Sequence, residues 1–187
     1  MSKFLFGLLA AATLVLSSCR NEPPTALSRQ LNIFRNSTIV FPETMLSIGE
    51  RSFIPASLHK DRPKMVFYAD SSNCLSCVIA RVRQYRTLIE TSKKTGAFQT
   101  VFVLSPDNID YHEISELLGE RDLRETVFLD TDRTFKELNP SFPENPLFNA
   151  FLIDSEGHPI LVGNPVVNNK IKSLFCNILN ISENGTF

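Results

Sequence analysis

Two thiols, Cys74 and Cys77, share the short polar segment Asp70-Ser71-Ser72-Asn73-Cys74-Leu75-Ser76-Cys77. A Cys-x-x-Cys pair can cycle between dithiol and disulfide, provided one sulfur is available as a thiolate. The flanking residues predict where the pair sits. Met65-Val66-Phe67-Tyr68-Ala69 reads as a short buried strand, rich in β-branched and aromatic residues. Val78, Val82, Tyr85 and Ile89 recur at helical spacing, with Arg81, Arg83, Gln84, Arg86 and Glu90 between them. The polar cluster between strand and helix can satisfy the first helical amides, and the positive end of the helix dipole then favours a thiolate on Cys74. A static bridge closing so small a loop would remove little chain entropy, which makes it a poor staple.

The remaining cysteines are read differently. Lys3 and the apolar run Phe4 to Leu16 lead into Leu16-Ser17-Ser18-Cys19, which is too short a run to span a bilayer comfortably. This resembles the bacterial lipobox, in which the Cys becomes the lipid-bearing first residue of the mature protein. The expected organisation is a signal peptide at 1–18, a lipid-anchored tether and short helix at 19–36, and a folded domain at 37–187. The expected location is the cell envelope, lipid-anchored to a bacterial membrane. Arg20 after Cys19, in place of the Asp that retains many such proteins at the inner membrane, leans towards the outer one. Disulfides persist in that compartment. Cys176 lies in Ile171-Lys172-Ser173-Leu174-Phe175-Cys176-Asn177-Ile178-Leu179, whose helical apolar spacing predicts a buried packing residue.

Composition narrows the field. With 43% hydrophobic and 21% charged residues, the 187-residue chain can bury one sizeable core. A net charge of −1 gives no basis for nucleic-acid binding. No GxGxxG, GxxxxGK[ST] or HExxH pattern is present, so no nucleotide or zincin chemistry is indicated, and no cofactor is called for. His59, His112 and His158 read as surface residues, Glu113 and Glu116 as a solvated helix face, and Asp70 as a loop or cap residue.

The elements that must position the thiols alternate along the chain. Leu27 to Arg35 predicts a short helix, and Ser37 to Phe41 with Met45 to Ile48 predicts a strand pair around Pro42-Glu43. After the strand at Lys64 to Ala69, the Cys-x-x-Cys helix should run to about Lys94 and stop at Gly96. Thr100 to Leu104 predicts a strand, Ile109 to Leu118 a helix closed by Gly119, Val127 to Leu129 a strand, and Asp132 to Leu138 a short helix. Phe148 to Ile153 and Ile160 to Val162 flank a hairpin turn with Gly157 in place, and Asn168 to Leu179 predicts a last helix. This order argues for an α/β fold with a mixed central sheet, helices on both faces and an N-terminal strand pair. Such sheets react at the carboxyl ends of their parallel strands.

From about Ile39 to Leu179 the chain resembles a thioredoxin-fold protein, in particular the lipid-anchored thioredoxin-like proteins of the bacterial envelope. The resemblance rests on the strand leading to Cys74-Leu75-Ser76-Cys77, on Phe151-Leu152-Ile153-Asp154-Ser155-Glu156-Gly157 and on the closing amphipathic helix. Val162-Gly163-Asn164-Pro165 is similar to envelope proteins of this kind from Bacteroidetes-type bacteria. The resemblance implies thiol–disulfide exchange, with Cys74 attacking, Cys77 resolving, and protein thiols or disulfides plus a redox partner as reaction partners. Two departures are visible. Asn73 stands where the family carries Trp, and Leu147-Phe148-Asn149 stands where it carries a cis-proline, Pro146 lying early. Two further classes fit the same residues: a thioredoxin-fold binding module without turnover, and a metal-handling thiol protein.

Overall fold

The computed structural model describes residues 25–49, 52–53, 58, 60–70, 80, 82–107, 111–119 and 121–183. In chain order the elements are α1 (Ala26–Arg35), β1 (Leu46–Ser47), β2 (Ser52–Phe53), β3 (Lys64–Asp70), α2 (Arg86–Thr95), β4 (Gln99–Ser105), α3 (Tyr111–Leu118) and α4 (Arg121–Arg124). They continue as β5 (Val127–Leu129), α5 (Thr134–Leu138), a 3₁₀ turn (Pro146–Phe148), β6 (Ala150–Ile153), β7 (Pro159–Val162) and α6 (Asn169–Leu179). The strands form one sheet in the order β2-β1-β5-β4-β3-β6-β7. β3, β4 and β5 run parallel, and β1, β2, β6 and β7 add antiparallel edges. The mixed sheet with helices on both faces and an N-terminal strand pair is therefore present.

Period-two alternation decides what each face receives. Met65 and Phe67 of β3, Phe102 and Leu104 of β4, and Leu152 of β6 face a core shared with Leu88 and Ile89 of α2, Ile114 and Leu118 of α3, and Phe175 and Cys176 of α6. Val66 and Tyr68, Val101 and Val103, and Phe151 and Ile153 face the other way, onto Phe34 of α1 and Phe135 of α5. β3 and β4 are buried on both faces, which is why their sequences read as near-continuous apolar runs.

The N-terminal strand pair is displaced from its expected place. Ser37 to Phe41 forms no strand, and β1 pairs instead with β2. The cause is a side chain. Val40 N–H donates to Asn139 Oδ1 at 2.8 Å, and Asn139 Nδ2 donates back to the Val40 carbonyl at 2.8 Å. One amide thus occupies the hydrogen-bonding groups that a neighbouring strand would have used. The helix expected to follow the thiols breaks at Tyr85, the N-terminal cap of α2, and ends at Gly96 in the left-handed region (φ 63°). α5 is capped from Asp130, whose carboxylate accepts from the Thr134 and Phe135 amides at 3.0 Å each.

Candidate functional site

Cys74, Cys77, Cys19 and His59 lie outside the described residues, so the site is defined by its surroundings. Asp70 ends β3 beside Ser105, the last residue of β4, at the carboxyl edge of the parallel strands. In sequence, Cys74 follows Asp70 by four residues.

A cavity of about 470 Å³ opens beside this edge. One wall is an aromatic stack. Tyr85 lies nearly flat on Phe67, with centroids 4.6 Å apart, and Phe67 on Phe102, with centroids 4.8 Å apart. Leu104 and Ile171 extend the apolar lining, and exposed Leu147 and Val167 also border the cavity. Asn149, Asn164 and Asn168 supply polar groups, and no charged residue lines it among the described residues. The cavity suits an uncharged, largely apolar group with a few hydrogen-bonding positions.

Its walls are held by specific contacts. Asn164 Nδ2 donates to the Tyr85 hydroxyl at 2.7 Å, while Asn164 Oδ1 accepts from the Val166 amide at 2.9 Å. This ties the loop after β7 to the aromatic stack. Gly163 (φ 130°) allows that loop to approach α6, because a Cβ there would meet Ile171 side-chain carbons at 3.0 Å. Pro146 is the first residue of the 3₁₀ turn, where its missing N–H costs nothing, and Asn145 Oδ1 accepts from the Leu147 amide at 3.0 Å. The strand is entered through buried Phe148 and then Asn149, whose carbonyl accepts from Tyr68 N–H at 2.8 Å.

The other sequence candidates disperse. Asp70 is ion-paired with Lys136 at 2.9 Å. Cys176 is 1% exposed in the α2-side core, and burial raises its thiol pKa, as expected of a packing residue. His112 sits on the exposed face of α3 beside Glu116, and His158 lies in the β6–β7 turn beside Asp154, each at 3.3 Å. No group of three His, Cys, Asp or Glu able to hold a metal occurs among the described residues. Arg83 donates to the Leu117 carbonyl at the end of α3. The sequence reading missed Tyr85 as a cavity wall, having placed it only as an apolar helix position, and missed Lys136 altogether. An aromatic residue at helical spacing carries no mark separating wall from core, and the Asp70 partner lies 66 positions away.

No protein-family model matches the sequence, and no curated protein matches it. Solved structures do. A domain of a possible thiol-disulfide isomerase from Cytophaga hutchinsonii superposes with a TM-score of 0.51 at 11% identity, covering 76% of this chain and 94% of that one. A thiol-disulfide oxidoreductase from Bacteroides fragilis gives 0.48 at 13% identity, covering 74% and 99%. A thioredoxin-like protein from Porphyromonas gingivalis gives 0.46 at 16% identity, covering 81% and 97%. The chain has a thioredoxin-like fold.

Proposed function

We propose that this protein is a thiol–disulfide oxidoreductase of the bacterial envelope, anchored by lipid on Cys19 and exchanging disulfides through Cys74 and Cys77. The observation that carries the reading is the junction of sequence and fold. In sequence, the Cys-x-x-Cys segment follows directly on β3 of a thioredoxin-like fold, and the carboxyl end of β3 borders an apolar cavity with no charged lining residue among the described ones. In the reductive direction, the Cys74 thiolate attacks a substrate disulfide, one substrate thiolate leaves, and a mixed disulfide remains. The Cys77 thiolate then attacks the Cys74 sulfur, releasing the second substrate thiolate. Two electrons pass from the pair to the substrate, and a redox partner must return them. The cavity beside β3 would receive an apolar side chain next to the substrate cystine.

A second reading, a binding module without turnover, is favoured by one detail. The strand that should begin at a proline is entered through Phe148 and Asn149, with Pro146 committed to the turn before it. One experiment separates the two. The reduction potential of the Cys74–Cys77 pair and the rate of insulin reduction are measured for the wild type and for Cys74→Ser. The oxidoreductase reading expects exchange that the substitution abolishes. Equal rates for both proteins would leave the binding module. For the anchor, Cys19→Ala should move the protein from the membrane fraction to the soluble one.

A further inference from the structure

The cavity against the aromatic stack has a balance of donors and acceptors as well as a shape, and Asn164 sets it. Asn164 Oδ1 accepts from the Val166 amide at 2.9 Å, so its Nδ2 is the atom turned to the Tyr85 hydroxyl, to which it donates at 2.7 Å. The hydroxyl oxygen is therefore the acceptor in that bond, and its own hydrogen remains to be donated. Tyr85 is 8% exposed and lines the cavity, and its O–H donates to no group among the described residues. Asn168 is committed in the same sense. Its Oδ1 accepts from the Lys170 and Ile171 amides at 3.0 and 3.2 Å, which leaves Nδ2 as the end able to donate. The fixed polar groups of the lining thus offer hydrogens and ask for an acceptor.

We propose that this cavity binds an uncharged planar ring carrying a hydrogen-bond acceptor oxygen, with the Tyr85 O–H as donor and Asn164 as the residue that positions it. The volume of about 470 Å³ lies within the range of about 300–1,000 Å³ usual for small-molecule sites. Phe67, Tyr85 and Phe102 line one wall with their planes within 17° of one another, and such a wall favours a planar aromatic guest through stacked or edge contacts. A charged group would give up its water and meet no counter-charge among the described lining residues. A ring without an acceptor would leave the Tyr85 donor unpaired once water is displaced. A free aromatic ketone and a tyrosine side chain both carry the required chemistry. The binding site needs neither thiol. Only its use on a tyrosine beside a substrate cystine rests on the exchange reading.

The test is equilibrium dialysis of the full-length protein against acetylnaphthalene and ethylnaphthalene, which differ by a carbonyl oxygen in place of a methylene. Uptake elsewhere on the chain is common to all variants. Tyr85→Phe should lower the ratio of acetyl to ethyl affinity by roughly three- to tenfold, with ethylnaphthalene binding nearly retained. Asn164→Asp should lower the same ratio with the hydroxyl still in place, because a carboxylate there accepts the Tyr85 hydrogen. A ratio unchanged in Tyr85→Phe overturns the proposal. So does an equal loss for both probes, which would mark the loosened loop as the cause, and so does a wild type that saturates with neither. The same comparison with acetyl-tyrosine amide and acetyl-phenylalanine amide separates the sources. A Tyr85-dependent preference for the tyrosine amide assigns the site to a polypeptide side chain, and a preference confined to the naphthalenes assigns it to a free small molecule. Failure of the wild type to reduce insulin would count against the exchange reading alone, since the dialysis needs no thiol.

Discussion

On the α1 side of the sheet, Phe34 meets Phe142, Phe148 and Phe151 edge to face, with centroids 5.6, 6.2 and 5.2 Å away. On the α2 side, Tyr85, Phe67 and Phe102 lie nearly parallel, their planes within 17° of one another, and a cavity of about 470 Å³ opens against them. Phe151 comes from β6, whereas Phe67 and Phe102 come from the neighbouring strands β3 and β4. Edge-to-face and offset-stacked pairs are both favoured arrangements; the stacked set borders the cavity, and the edge-to-face rings around Phe34 do not. One face is organised to be closed and the other to receive a group.

That contrast can be broken from either side. The largest effect is expected on the closed face. Phe151→Ala removes a fully buried ring in contact with Phe34 and Phe142 and should cost about 3–5 kcal/mol, read as a lowered urea midpoint. A loss below about 1 kcal/mol would mean that the aromatic face is not interlocked. Next comes the amide that joins this face to the chain leaving α1. Asn139→Ala deletes both hydrogen bonds to Val40 and the one to the Phe135 carbonyl, and should cost about 2 kcal/mol. On the open face the expected loss is smaller. Tyr85→Phe keeps the ring stack but deprives Asn164 of its acceptor, costing about 1 kcal/mol in stability. The released loop should also raise the apparent KM for a disulfide substrate while leaving the Cys74 pH profile in place. An unchanged KM would separate the cavity from substrate binding.

What could be read in advance follows from the range of the interactions involved. The buried strand at Met65 to Ala69, the stops at Gly96 and Gly119, and the last helix from about Asn168 are local signals, and they appear where the sequence predicts them. Ser37 to Phe41 has the composition of a strand, but its conformation is decided by Asn139, 99 positions away. α4 was not anticipated, since a four-residue helix has too little periodicity to register. For the site, the edge of the sheet was legible because the Cys-x-x-Cys segment follows a buried run. The cavity wall and the Lys136 pairing were not, because both are made by residues that meet only once the sheet is assembled.

The burial of Phe34 limits the length of any leash on this molecule. α1 starts at a cap on Thr25, whose hydroxyl accepts from the Ser28 amide at 3.2 Å, and its Phe34 is locked into the aromatic face. Under the proposed lipidation, only five residues lie between the anchored Cys19 and Thr25, a span of about 20 Å at full stretch. The body of the protein would then ride close to the lipid surface, and its partners would have to come to it there.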